Sequence, residues 1–459
     1  MRYTDLKYLA VPLPEDLSKL KGYGDFERMA RVIDLKLNKD GLPEAMRNRL
    51  LLEKEIIRLL PREYPYTAAE ALAQLRERLG AFEMDELEHL RDLDAVEWAY
   101  INGEVKYKNN FLSNLVKTRK AYADRLLDKH DPSAQEHQRL YDAIALMRRD
   151  GALSMRFHVH AKMDFFPEPG REGQPVTAYL PLPIEYAQVK NFRFTAPLPD
   201  YVIAAPEDFS QRTAIYRGVP GKQPFEIDYT YETHMRYVKP DPAQVSDGQP
   251  TFYTEEYGPH IRFTPYLKWL AAEIVGDEKN PLVKARKIYD YITTKIIYSY
   301  MRAYMTMPMV PEYAAASMKG DCGVQALLFI TLCRIVGVPA RWQAGLYMNM
   351  ETGSHDWAQF YVAPYGWLYA DPSFGGSAFR AGDEARRDFY FGNLDPFRLP
   401  ANSEYQHDFF VPTKFLRHDP YDNQQGEAEY QDTPLKMNEY DAEQTILSCE
   451  IIDQQEAQA

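Results

Sequence analysis

Residues 319–376 read KGDCGVQALLFITLCRIVGVPARWQAGLYMNMETGSHDWAQFYVAPYGWLYADPSFGG. The apolar run that follows Cys322 predicts a buried helix, and Gly337 stands where that helix should end. Cys322 would then lie in the first turn, where free backbone N–H groups and the positive end of the helix dipole favour an anion. A thiol in this position is expected to have a lowered pKa and to be a good nucleophile.

Three short strands are predicted after this helix: Arg341–Met348, His355–Val362 and Trp367–Ala370. His355 opens the second strand and Asp371 follows the third, so the two side chains can be neighbours across a hairpin. Together with Cys322 they would supply a nucleophile, a base and an orienting carboxylate. Counting across a four-residue turn puts Asp371 opposite Ala358, so a bulge, a twist or a longer turn would have to bring it to His355.

The pattern GDC before a helix, then LCRxxGVPAR, HxWxxxY and GWxxxDPS, resembles the transglutaminase-like superfamily. This group includes transglutaminases, peptide N-glycanases and bacterial thiol proteases. The resemblance covers about residues 260–400 and implies a papain-like core, in which a helix bearing Cys322 packs on an antiparallel sheet. It implies that Cys322 is the nucleophile, that His355 is the general base and acid, and that Asp371 orients the imidazole.

The rest of the chain predicts an α+β protein with four parts. Residues 1–150 follow the helical period and predict a helical domain. Residues 151–250 contain short alternating strands between Pro- and Gly-rich turns, which is typical of an antiparallel β-sandwich. Residues 251–400 form the predicted catalytic domain. Residues 401–459 form a C-terminal extension, which opens with a buried strand near 407–415 and ends in an acidic tail.

Composition excludes several classes of function. A net charge of −13 and a pI near 5.4 argue against nucleic-acid binding, which needs clustered Lys and Arg. No apolar run approaches the roughly 18 residues of a membrane span, and the first residues do not resemble a signal peptide. Three cysteines are too few, and odd in number, for a disulfide framework, so a cytoplasmic location is expected. The oligomeric state is left open.

The expected function is thiol-dependent acyl transfer on the amide bonds of a peptide or protein. Hydrolysis is favoured, and transamidation stays open because both reactions share the thioester. An inactive binding scaffold is a second alternative, and a metal site at Cys322, His355 and Asp371 is a third. The metal site lacks a fourth ligand, so neither a metal nor another cofactor is expected. Trp357 is a candidate for substrate binding, although a packing role is favoured.

Overall fold

A computed structural model describes residues 3–128, 133–436 and 438–452. Its helices and antiparallel sheets confirm the predicted α+β class. The domain boundaries at residues 150, 250 and 400 stay predictions, and the last residues of the predicted acidic tail, 453–459, lie outside the described chain. In the described part, no helix is both long and apolar enough to cross a bilayer.

The N-terminal part is mainly helical. A 3-10 helix, Tyr3–Ala10, precedes helices α1 to α8: Glu15–Tyr23, Phe26–Leu37, Glu44–Glu63, Ala68–Leu79, Met84–Asp92, Phe111–Thr118, Lys120–Ala123 and Ser133–Asp150. A small sheet in the order β1-β3-β2 lies among them: Tyr66–Thr67, Trp98–Ile101 and Glu104–Tyr107 for β1 to β3. Helix α4 begins with a capping box, because Thr67 and Glu70 each accept a hydrogen bond from the other's backbone N–H.

The predicted sandwich is present as two four-stranded antiparallel sheets that share one apolar core. Six of its strands, β4 to β9, are Ala152–Phe165, Val176–Pro181, Val189–Phe194, Val202–Ala204, Thr213–Gly218 and Glu226–Arg236. Two further strands come from the C-terminal extension, and each lies at one edge of a sheet: Glu427–Glu429 pairs with β5, and Tyr440–Ile452 pairs with β4. The charged residues of Tyr440–Ile452, which are Asp441, Glu443 and Glu450, are all exposed, as suits an edge strand.

The part that resembles a thiol core contains helices α9 to α14: Pro265–Val275, Pro281–Lys295, Val310–Ser317, Cys322–Ile335, Pro372–Arg380 and Glu384–Phe389. Its strands β10 to β16 are Ile297–Tyr298, Lys319–Gly320, Ala340–Met348, Thr352–Val362, Gly366–Ala370, Phe391–Gly392 and Arg398–Asn402. The last five form one sheet in the order β15-β14-β13-β12-β16. Helix α12 is almost wholly buried and packs on β13, where Phe329 meets Phe360 edge to face. We label the two C-terminal strands of the sandwich β17 (Glu427–Glu429) and β18 (Tyr440–Ile452).

The hairpin between β13 and β14 is one residue tighter than predicted. Val362 pairs with Gly366, so the loop has three residues, and Ala358 pairs with Ala370. Asp371 therefore follows opposite Trp357, not opposite Ala358. Since side chains alternate between the two faces of a sheet, this shift of one residue puts Asp371 on the same face as His355. No bulge or longer turn is needed.

Between β16 and β17 the chain runs from residue 403 to residue 426 without a helix or a strand. The buried strand predicted near 407–415 was wrong. Phe409 is buried by side-chain contacts instead, stacking on Tyr179 and lying under the guanidinium of Arg417, whereas the neighbouring Phe410 is exposed. This segment passes next to the first turn of α12.

Candidate active site

Helix α12 begins at Cys322, as the sequence predicts. Asp321 is its N-cap and accepts a hydrogen bond from the backbone N–H of Val324 at 3.1 Å. The same carboxylate accepts hydrogen bonds from the Tyr304 hydroxyl at 2.5 Å and from the backbone N–H of Met301 at 3.3 Å. Burial raises the pKa of Asp321 to about 6, despite these donors. The start of the helix is therefore firmly held.

The Cys322 thiol is partly exposed and donates to Asp356 Oδ2, with 3.4 Å between Sγ and the oxygen. Both Cys322 and His355 are described, and no hydrogen bond joins them. Desolvation and the nearby carboxylates of Asp356 and Asp321 raise the pKa of the thiol well above its usual value. The lowered pKa expected from the helix start was wrong, because desolvation of the thiol, together with the two close carboxylates, outweighs the helix dipole.

His355 and Asp371 are brought together, with 2.7 Å between Nε2 and Oδ2. Asp371 also forms an ion pair with Arg398, 3.0 Å from Nη1, and Arg398 in turn bonds Asp395 at 2.5 Å. Burial alone would raise the pKa of Asp371, but the charges of His355 and Arg398 lower it. Burial lowers the pKa of His355 even though Asp371 opposes the shift, so the resting imidazole is neutral.

The two halves of the site meet at one peptide bond in β13. The side chains of His355 and Asp356 leave the strand on opposite faces, one toward Asp371 and the other toward the start of α12. The backbone of Asp356 also bonds the Cys322 thiol and favours its ionised form. Cys322 therefore lies against the strand next to His355, while its own hydrogen-bond acceptor is Asp356.

Asp356 has a second partner from the C-terminal extension. The side-chain N–H₂ of Gln424 donates to Asp356 Oδ1 at 2.7 Å and to the backbone oxygen of His355 at 3.1 Å. Burial, together with the charges of Asp321 and Asp419, raises the pKa of Asp356 well above its usual value. Within the described residues, no three or more His, Cys, Asp or Glu side chains are grouped so as to hold a metal ion.

Trp357 does not face a groove. Its side chain is fully buried, and its Nε1–H donates to Gln343 Oε1 at 2.7 Å. Gln343 in turn bonds Gln188 from the sandwich part of the chain. This placement favours the packing role over the substrate-binding role considered from the sequence.

The sequence reasoning missed Asp356, Gln424 and Arg398. Asp356 carries a usable signal, since it shares the strand parity of Ala358 and Phe360 and is therefore a carboxylate on the apolar, helix-facing side of β13. The other two come from distant parts of the chain. Nothing local in their sequence indicates that they reach this site.

Comparisons with known proteins agree with this architecture. Residues 268–372 match the model of the transglutaminase-like superfamily. An uncharacterized protein of Haemophilus influenzae is 24% identical over 243 residues, which cover 44% of this chain and 64% of that protein. The protein YebA of Bacillus subtilis is 22% identical over 129 residues, or 24% of this chain and 17% of YebA. The chain thus spans less than two thirds of either relative.

Two solved structures are similar at low sequence identity. One is a protein of Cytophaga hutchinsonii proposed to be a cysteine protease, with 14% identity and a TM-score of 0.40 over 66% of this chain and 91% of that one. The other is the periplasmic domain of TgpA from Pseudomonas aeruginosa, with 16% identity and a TM-score of 0.27 over 53% and 94% of the two chains. The motif, its order along the chain and the family match agree: residues 268–372 are a transglutaminase-like core and belong to that superfamily.

Proposed function

We propose that this chain is a thiol-dependent acyl-transfer enzyme that cleaves amide bonds of a peptide or protein through a thioester on Cys322. The observation that carries the proposal is the 2.7 Å pair of His355 and Asp371, which is adjacent in β13 to Asp356, the carboxylate that accepts the Cys322 thiol. A buried carboxylate that orients an imidazole next to a thiol is the arrangement that nucleophilic catalysis needs.

In the proposed mechanism, the hydrogen bond to Asp371 places the proton of the neutral His355 ring on Nε2. With Nε2–H donating to Asp371, Nδ1 is left free to accept the proton of the Cys322 thiol. The thiolate attacks the amide carbonyl, and the carbon–nitrogen bond breaks as His355 returns the proton to the leaving amine. The product is a thioester on Cys322, and the backbone N–H of Cys322 at the helix start is a donor for the oxyanion.

Water resolves the thioester in the proposed reaction. His355 takes one proton from the water as its oxygen attacks the thioester carbonyl, and the carbon–sulfur bond then breaks to release a carboxylic acid and restore the thiol. An amine in place of water would give transamidation through the same intermediate. We further propose a reducing, cytoplasmic setting, because Cys322, Cys333 and Cys449 are all free thiols.

Trapping the acyl-enzyme tests the proposal. The chain is incubated with a peptide library, quenched in acid and analysed by mass spectrometry for an acyl adduct on Cys322. The adduct is expected on the wild-type chain and on Cys449→Ala, and it is expected to be absent from Cys322→Ala and His355→Ala. Amidase activity that persists undiminished in Cys322→Ala would overturn the mechanism.

A further inference from the structure

Residues 417–427, here called the strap, form a loop closed on itself beside the thiol. The carboxylate of Glu427 accepts the backbone N–H groups of His418 at 2.9 Å and of Asp419 at 3.0 Å, so the two ends of the strap are tied together. Immediately after this closure the chain enters β17, which pairs with β5 of the sandwich. The strap is thus a defined loop, and β17 fixes its exit.

Two anchors hold the strap between the sandwich and the thiol core. The Asn423 side chain donates to the backbone oxygens of Arg212 at 2.7 Å and of Ala401 at 3.2 Å. Tyr421 stacks parallel on Tyr405 with 5.2 Å between ring centroids, and its hydroxyl meets His260 at 3.0 Å. These contacts place Gln424, which directly follows Asn423, against the site.

The side-chain amide of Gln424 donates two hydrogen bonds to the site. One goes to the carbonyl of His355 and the other to Asp356 Oδ1, while Asp356 Oδ2 accepts the Cys322 thiol. One carboxylate therefore joins the strap to the nucleophile. The carboxamide of Gln424 therefore lies against the backbone of His355 and against the carboxylate that accepts the thiol.

We propose that Gln424 and Asp356 form a latch that keeps the Cys322 thiol turned away from His355, so that the strap must leave before acyl transfer begins. This inference rests on the proposed function, since it treats Cys322 as the nucleophile. Withdrawal of Gln424 removes its hydrogen bonds to Asp356 and to the backbone of His355 and opens the space next to them. Asp356 is a positioning residue in this scheme, because it acts through Cys322.

Alkylation of the full chain by iodoacetamide, followed at each cysteine by mass spectrometry, tests the latch without a substrate. Gln424→Ala is expected to alkylate at Cys322 at least tenfold faster than the wild-type chain. The neighbouring Gln425 is exposed, so Gln425→Ala is the matched control and is expected to keep the wild-type rate. Cys333 is fully buried and reports on folding, because it reacts only if the core opens.

A second variant covers the case in which Gln424→Ala loses its fold. Gln424→Asn keeps the carboxamide but shortens the side chain by one methylene, so it cannot reach both acceptors, and it is also expected to alkylate faster at Cys322. A folded Gln424→Ala or Gln424→Asn protein with the wild-type alkylation rate would overturn the latch.

The acyl-enzyme assay separates this inference from the proposed function. Faster alkylation of Gln424→Ala without any acyl adduct would support the latch and count against the enzyme. Equal acylation of the wild-type chain and Gln424→Ala, with equal alkylation rates, would support the enzyme and count against the latch.

Discussion

At the scale of single residues, His355 and Cys322 differ in the carboxylate that each contacts: Asp371 for His355 and Asp356 for Cys322. Asp371 pairs with His355 and with the buried Arg398, whereas Asp356 accepts the Cys322 thiol and forms no ion pair with a basic side chain among the described residues. The first arrangement prepares a base, and the second holds a thiol in its neutral form. The contrast follows from adjacent positions in one strand, whose side chains point to opposite faces.

Removal of the Asp356 charge is expected to make Cys322 easier to ionise. A negative neighbour disfavours the thiolate, so the wild-type alkylation rate should reach half its maximum above the ordinary thiol pKa of about 8.5. In Asp356→Asn this midpoint should move to a lower pH. The measurement is the iodoacetamide rate at Cys322 between pH 6 and pH 11, with the exposed sandwich residue Asp164→Asn as the control. An unchanged midpoint in Asp356→Asn would contradict the assigned cause.

Asp371→Asn is expected to cost stability as well as activity. The substitution takes one counter-charge from Arg398, which is fully buried, and breaking such a pair costs about 3 kcal/mol. Acylation of Cys322 should also fall by about 100-fold or more, because the imidazole loses its orienting partner. Urea unfolding and the acyl-adduct assay measure the two effects. Asp388→Asn breaks an exposed pair with Arg286 and should change stability by less than about 1 kcal/mol.

At the scale of secondary-structure elements, the first turn of α12 fits against β13 with no spare volume. A Cβ on Gly323 would lie 2.7 Å from Asp356 Oδ2 and would also collide with the Tyr304 hydroxyl. Glycine is therefore required at this position by the close approach of a helix and a strand. The fit explains how Asp356 comes within reach of the thiol.

Gly323→Ala is expected to destabilise the chain by about 1–3 kcal/mol, because Asp356 or Tyr304 must be displaced. The control is Gly353→Ala in β13, where the added Cβ meets nothing within 4 Å and the free energy of unfolding should be nearly unchanged. Urea unfolding of both variants measures the difference. Equal stability of the two would show that the helix start is less tightly packed than the contacts indicate.

Elements were more predictable from the sequence than their connections. The helix that starts at Cys322, the strands around His355 and the capping box at Thr67 follow from periodicity and local hydrogen bonding, which the sequence carries directly. The register of the β13–β14 hairpin does not follow from periodicity. A loop of three residues and a loop of four residues put Asp371 on opposite faces of the sheet, and the structure has three. The family pattern located Asp371 where strand counting failed.

At the scale of the whole molecule, the N-terminal helices brace the segment that precedes the thiol. Asn114 of α6 accepts from the backbone N–H of Tyr300 at 2.8 Å and donates to Ser299 at 3.2 Å. The next residue, Met301, donates to Asp321, the N-cap of α12. A short chain of hydrogen bonds therefore connects the helical part to the start of the helix that bears Cys322.

Asn114→Ala is expected to destabilise the chain by about 1–3 kcal/mol, because it removes a buried side chain that accepts from the backbone N–H of Tyr300 and donates to Ser299. Asn109→Ala, at an exposed position just before the same helix, should stay within about 0.5 kcal/mol of the wild-type chain. The midpoint of urea unfolding measures both. An equally stable Asn114→Ala protein would mean that this contact does not support the core.

Long-range placements lay beyond the sequence. Gln424 reaches the site because the C-terminal extension returns to complete the sandwich, and Arg398 reaches it because β16 pairs with β12. Neither periodicity nor capping encodes these two placements. Composition described the extension as polar and acidic, and its acidic residues alternate along the edge strand β18. Sequence patterns identify Cys322, His355 and Asp371, but they do not identify Gln424, which a distant segment brings to the site.

β18 pairs with β4 although the whole thiol core lies between them in the sequence, so the sandwich can be completed only late in synthesis. A ribosome releases β4 first, then the complete thiol core, and only afterwards the strap and the two strands that finish the sandwich. Under the proposed latch, Cys322, His355 and Asp371 are synthesised before Gln424, so the thiol is expected to be held only after residues 417–427 and strands β17 and β18 have been made. On the same proposal, a proteolytic cut within residues 417–427 that frees Gln424 is expected to speed the alkylation of Cys322 by iodoacetamide.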